Sequence, residues 1–320
     1  MRLERERIFR SAWHYLCHLG RLPEPSTYFA GDTGGIPVVA VRDGEGELRA
    51  FLNVCRHRGA EVVAGAGRRE TLQCPYHAWT YSLDGRLRSA PRAEREADFD
   101  LDEVSLAPLR IDAWGPFLFV NADEDAPPLA DALGGLALRV DPASLVFRER
   151  VEYALEANWK LAVENYLECY HCAVAHPAFS RLVDVDPDTY LLRGDGLVWS
   201  QYGRAREGGA ACEFHLVWPS LKLSVYPGLA NLSIGPVWPE SAERTAGFLD
   251  YFFAPDVADE EARELIAFDD QVGREDTALV ESVQRGVRSG LVERGRLMPD
   301  SEQLIAGFQR KVGEALECRL

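Results

Sequence analysis

Cys55-Arg-His57 and Cys74-Pro-Tyr-His77 are two cysteine–histidine pairs with sixteen residues between them. Four such side chains brought together hold a metal, either a single zinc or an iron–sulfur cluster. Zinc sets usually use C-x2-C or H-x3-H spacings. A C-x-H matched to a C-x2-H suits instead a [2Fe–2S] cluster with two cysteines on one iron and two histidines on the other. Neutral imidazoles in place of thiolates leave less negative charge around such a cluster and raise its potential.

A second constellation stands in the other half. Glu164, Glu168 and His171 fall at i, i+4 and i+7 of the stretch 156–175, which reads as a helix that Pro177 ends. Trp159, Val163, Tyr166, Tyr170 and Ala173 make a separate apolar stripe on it. The plainer reading of the acidic face is a solvated surface. His176 follows His171 by a step that turns about 140° around a regular helix, so the two imidazoles converge only where the helix distorts or ends. Further along, Leu265, Phe268, Val272, Leu279 and Val283 form an apolar seam, and Asp276 falls within it. A carboxylate in a core stripe is costly unless it is paired or binds a metal. Two histidines and one carboxylate are the facial triad of non-heme Fe(II) oxygenases, with open positions for O2.

The elements that must position these groups differ between the halves. Residues 36–41, 48–54, 80–83, 86–90 and 117–121 read as strands, with a hairpin turn at Asp84-Gly85. After the Pro/Ala-rich stretch 123–135, strands are expected over 212–218, 221–226 and 246–253. A long helix or a broken helical pair is expected over 256–289, and a last helix over 301–317 beginning at Asp300 with Gln303 placed for a capping box. The expected fold class is α+β. The stretch 180–255 carries little recognisable signature.

The run NVCRHRGAEV…LQCPYHAWTYSLDGRL resembles the Rieske motif of ring-hydroxylating oxygenases, and Glu164, Asn165, Tyr170, His171, His176 and Glu275-Asp276 match the catalytic pattern of the same family. The resemblance implies that Cys55 and Cys74 bind one iron of a [2Fe–2S] cluster, His57 and His77 the other, and that His171, His176 and Asp276 bind a mononuclear Fe(II). It implies an all-β Rieske domain over 26–122, preceded by an N-terminal segment (1–25), then a linker (123–135) and a helix-grip-like catalytic domain with an antiparallel sheet (136–320). Asn165 and Glu168 become catalytic candidates. Most members have aspartate where this chain has Glu168, the residue that bridges a cluster histidine of one subunit to an iron-ligand histidine of the next. Glu-Cys-Tyr-His-Cys resembles a subgroup with glutamate there, including carnitine monooxygenase-like enzymes. The implied system is a homotrimer fed by an NAD(P)H-dependent flavin/iron–sulfur reductase or a ferredoxin, with electrons passing through His77, Glu168 and His171. Its small-molecule substrate is aromatic or a quaternary amine. An electron-transfer ferredoxin with a binding module, or a zinc-stapled structural protein, would be the alternative.

Other signals are weaker. Cys169 and Cys172 read as thiols packed as small hydrophobes rather than a zinc site. His14 and His18 lie among apolar residues that suggest a core or subunit contact. His215 reads as a strand-face histidine. Trp199, Tyr202, Phe214, Trp218, Tyr226 and Trp238 could line a substrate pocket or fill a core. The net charge of −16 repels a phosphate backbone and an anionic bilayer, which argues against nucleic-acid and membrane-surface partners. No apolar run is long enough to span a bilayer, and the charged N-terminus lacks a signal-peptide core, so a cytoplasmic location is expected.

Overall fold

The computed structural model describes residues 1–208, 210–291 and 294–317. Contacts divide it into two units, Arg10–Leu129 and Met1–Phe9 joined with Ala130–Leu320. The boundaries differ from the segment 1–25 expected in sequence. His14–His18 pairs antiparallel with Phe117–Asn121, which draws residues 10–25 into the first unit. Ile8 and Phe9 instead join the core of the second, where Phe9 meets Trp159 edge-on at 5.0 Å.

The first unit is built on a seven-stranded antiparallel sheet in the order His14–His18, Phe117–Asn121, Pro108–Trp114, Leu48–Leu52, Pro37–Arg42, Thr27–Asp32, Ala66–Arg68. Side chains alternate across a strand, and Pro37–Arg42 uses both faces. Val39 and Val41 pack with Cys55, Leu72, Cys74 and Tyr81, whereas Val38 and Ala40 pack with Leu16, Leu22, Leu118 and Val120. The cysteines thus rest on a core that the sheet itself supplies. A small sheet of Thr71–Gln73, Thr80–Ser82 and Leu87–Ser89 completes the unit. Its hairpin turns at Gly85, whose φ of +91° suits glycine, and where a Cβ would lie 2.5 Å from the Phe51 ring.

The second unit carries an antiparallel sheet in the order Val146–Leu155, Thr245–Phe253, Asn231–Pro239, Leu221–Val225, Cys212–Val217, Val198–Ala205, with Val183–Asp184 and Leu191–Asp195 also pairing with the last of these. Asp259–Arg288 is one unbroken helix of 30 residues. Three acids open it and Arg285 and Arg288 close it, each sign at the dipole end that favours it. Its buried stripe is Ala262, Ile266, Val280 and Gln284, so Leu279 and Val283, expected in the seam, are exposed instead. Leu265, Phe268 and Val272 do pack inward. The last helix starts at Gln303, not Asp300, and the capping box is absent; the Gln303 amide donates to the Asp300 carbonyl, and the Glu302 carboxylate takes the Met298 N–H. Among the described residues no helix is long and apolar enough to cross a membrane.

Candidate metal centres

Two loops of matching geometry present the first set of residues. Cys55 N–H donates to the Ala60 carbonyl and Gly59 N–H to the Cys55 carbonyl; Cys74 N–H likewise donates to Trp79 and Ala78 N–H to Cys74. Gly59 and Ala78 hold equivalent left-handed positions, φ +76° and +58°. Each loop buries its cysteine and exposes its histidine. The thiols are free and adjacent, and burial, with contact between them as a lesser cause, raises the Cys74 pKa. The Tyr81 hydroxyl lies 3.3 Å from the Cys55 sulfur. The imidazoles of His57 and His77 stand 4.6 Å apart, and Trp79 stacks on His57. Two sulfurs below and two imidazoles above fit a cluster with one thiolate-bound iron inside and one imidazole-bound iron at the surface.

The second set depends on a helix that stops early. Trp159–Tyr166 is helical, begun by Asn158, whose side chain accepts from Lys160 N–H at 3.1 Å. The helix does not run on to 175. Beyond Tyr166 the Glu168 carboxylate folds back to take the Tyr170 and His171 N–H groups, an arrangement that competes with helical bonding. Short helices Cys172–Ala175 and Pro177–Leu182 follow, so Pro177 starts a helix rather than ending one. On the resulting turn Cys169 and Cys172 come to a Cα separation of 4.9 Å and form a disulfide, in place of the two packed thiols expected. Glu164 is on a separate course: it is turned to Gln309 at 3.1 Å, and burial raises its pKa.

The break lets His171 and His176 face each other. Their Nε2 atoms are 3.1 Å apart, and Asp276 Oδ1 lies 2.9 Å from His176 Nε2 and 3.3 Å from His171 Nε2. Three donor atoms about 3 Å apart are what ligands about 2.1 Å from one metal and at right angles to one another require. Among the described residues this is the one group of three such side chains close enough together to hold a single metal ion. Each imidazole is held from behind by a carboxylate: Glu168 on His171 Nδ1, Glu275 on His176 Nδ1 at 2.7 Å. Such carboxylate–histidine pairs fix the tautomer and aim Nε2 at a metal.

The charges are matched to that task. Burial works against the charged form of His171, but Asp276 and Glu168 outweigh it and raise its pKa to about 9. His176 moves the same way for the same reason, with Asp276 and Glu275 as its partners. Burial pushes Asp276 up, yet the two histidines and a hydrogen bond from Asn165 hold it far below the usual carboxylate range. Glu275 is lowered by Gln271, and then by His176. The fully buried histidine of this unit, His215, bonds Ser200 instead and is absent from the site.

Comparison with known proteins decides what the two centres belong to. The Rieske [2Fe-2S] domain family matches residues 12–108, and the ring hydroxylating alpha subunit (catalytic domain) family matches 142–213 and 200–317. The chain belongs to the Rieske non-heme iron oxygenases. It is 36% identical over 337 residues to the carnitine monooxygenase oxygenase subunit of Acinetobacter baumannii, covering 97% of this chain and 90% of that protein. It is 33% identical to the chloroplastic choline monooxygenase of Spinacia oleracea, covering 95% and 73%. A solved quaternary ammonium Rieske monooxygenase, described in terms of carnitine oxidation and inter-subunit electron transfer, superposes with a TM-score of 0.87 at 35% identity, over 98% of this chain and 91% of that one. This Rieske oxygenase is therefore a terminal oxygenase that carries a [2Fe–2S] cluster and a mononuclear iron and uses O2.

A cavity of about 320 Å³ opens beside His171, His176 and Asp276. Of the aromatic residues singled out in sequence, Phe214 and Tyr226 line it. Trp199, Trp218 and Trp238 pack in the core around Phe308, and Tyr202 lines a different pocket. Sequence reasoning missed Asp269, whose oxygens accept from the hydroxyls of Tyr226 at 2.6 Å and Tyr251 at 2.7 Å. A signal was present: Asp269 precedes Asp276 by seven residues, two helical turns, so both acids fall on the inward stripe. Tyr166 and Lys222 were missed as cavity residues as well.

Proposed function

We propose that this oxygenase hydroxylates a small quaternary ammonium compound on a carbon beside its cationic nitrogen. In that reaction a C–H bond, O2, two electrons and two protons give C–OH and water; the hydroxylated carbon then releases the amine and becomes a carbonyl. The observation that carries the reading is the wall beside His171, His176 and Asp276, where the rings of Tyr166, Tyr190, Phe214, Tyr226 and Tyr251 share the cavity lining with Asp269, whose carboxylate accepts from the Tyr226 and Tyr251 hydroxyls. Ring faces, together with a carboxylate whose two oxygens are already taken by tyrosine hydroxyls, favour a cation that has no hydrogen to donate.

In this reading Cys55 and Cys74 hold one iron of the cluster, His57 and His77 the other, and His171, His176 and Asp276 hold the mononuclear iron. When bound, the cluster supplies electrons and the mononuclear iron supplies O2 activation. Glu168 and Glu275 keep the two imidazoles aimed, and Asn165 donates to Asp276. The proposed assembly is a cytosolic homotrimer with an NAD(P)H-dependent reductase, in which Glu168 links His171 to His77 of the partner subunit. O2 uptake by the purified protein with a surrogate reductase, across panels of quaternary amines and of aromatic compounds, tests this function. Uptake with release of amine and carbonyl product is expected in the first panel. Coupled uptake in the aromatic panel alone contradicts it.

A further inference from the structure

The cavity that suits a cation also contains one. Lys222 stands on the strand Leu221–Val225, and its side chain lines the cavity together with Ser224 from the same strand face and Tyr226 just past the strand's end. Its ammonium lies 4.8 Å from the ring centre of Tyr153 and 5.3 Å from that of Tyr166. Among the described residues no oxygen accepts a hydrogen bond from it and no carboxylate lies within ion-pair distance. The acid whose charge it does feel, Asp269, already has both oxygens occupied by Tyr226 and Tyr251. The other basic side chain on the wall, Arg274, is paired with Asp270.

Ring faces attract an ammonium but give its three N–H groups no directed acceptor. Lys222 therefore offers unused, charge-assisted donors to whatever enters. For a substrate that is only a cation, a fixed positive charge in so small a space is repulsive and lowers affinity. For a zwitterion it is the complementary pole, on the lining of the same cavity as Asp269, Tyr226 and Tyr251. Building on the quaternary-ammonium reading above, we infer that Lys222 is the specificity residue that binds the carboxylate of a zwitterionic quaternary-ammonium acid. A quaternary ammonium alcohol or ester is then a poor ligand.

Calorimetric titration of the anaerobic, iron-loaded protein tests this with four probes: γ-butyrobetaine, its methyl ester, choline, and the carbon isostere of γ-butyrobetaine with tert-butyl in place of trimethylammonium. The wild-type protein is expected to bind the zwitterion at least about tenfold more tightly than the ester or choline, the discrimination a hydrogen bond to a charged group supplies. Lys222→Met should weaken the zwitterion by that factor and leave the ester within about twofold, and Lys222→Arg should restore part of the preference. Ester binding by Lys222→Met also shows that the variant is folded. Equal binding of zwitterion and ester by the wild type, or equal loss of both in Lys222→Met, overturns the assignment of Lys222 while the quaternary-ammonium reading stands. Lys222-dependent binding of the carbon isostere as tight as that of the zwitterion supports the carboxylate contact and overturns the quaternary-ammonium reading. Binding of none of the four overturns both.

Discussion

Asp276→Ala removes one corner of the donor triangle and the partner that two imidazoles share. The expected outcome is loss of the mononuclear iron and of turnover with the cluster spectrum intact, because the two sites have no ligand in common; Cys74→Ser should do the reverse. Metal analysis and visible absorption check both, and an active Asp276→Ala that keeps its third iron contradicts the assignment. Glu168→Gln keeps an acceptor but loses the charge, and a neutral amide accepts a weaker hydrogen bond. Both centres should remain when iron is supplied in excess and the reductase should still reduce the cluster, while reoxidation of the reduced cluster by O2 and substrate slows at least about tenfold, a size in keeping with mutation of an outer-shell carboxylate. Rapid-mixing spectroscopy reads this directly, and unchanged reoxidation rejects the bridge. The charge on His171 gives a pH prediction. In the metal-free protein its pKa is raised to about 9, so at neutral pH the imidazole is protonated, whereas a metal needs it neutral. Apparent Fe(II) affinity should therefore rise from pH 7 to pH 9, approaching tenfold per pH unit from this one proton, and level off above the pKa. A flat anaerobic titration series contradicts it.

At the scale of elements, the long helix sets the register of Asp276, and its buried stripe can be tested independently of the metal. Ile266→Ala should cost about 2–5 kcal/mol of stability, as for other buried aliphatic truncations, whereas Val283→Ala, at a half-exposed position, should stay within about 0.5 kcal/mol. Denaturant unfolding of the two variants checks the ordering, and equal costs contradict the register. The same helix shows what was legible in sequence. Its existence and the inward placement of Asp276 followed from periodicity, but a seam drawn through Leu279 and Val283 sat one position off the true stripe. Apolar residues on a helix flank satisfy the same pattern as those that face the sheet. The segment 156–175 was harder. Helix-favouring residues run through it, and only a side chain folding back on its own backbone, Glu168 onto the Tyr170 and His171 N–H groups, ends the helix at Tyr166. The convergence of His171 and His176 was readable as a requirement for a break. The location of that break was not. Strands such as Asn231–Pro239 lack period-two alternation, because nearly every residue is buried on both faces, and so left no signature.

At the scale of the whole molecule, the two cysteine–histidine pairs proposed to hold the cluster stood out in sequence because they are local: each cysteine and its histidine share one loop. The proposed mononuclear site and the cavity beside it draw on a broken helix, a strand face and a distant helix, and Asp269 and Lys222 acquire meaning only once those elements meet. Two centres on one chain have a purpose only if electrons stored in the first are spent at the second, and only when substrate occupies the cavity. A single-turnover experiment addresses that claim most directly. Protein with its cluster reduced and its mononuclear site loaded with Fe(II), freed of excess reductant, is mixed with O2 in the presence and absence of a zwitterionic quaternary amine. Cluster absorbance should recover rapidly only with substrate present, and amine and carbonyl product should appear in step with that recovery. Recovery at the same rate with or without substrate, and with no product formed, would contradict it.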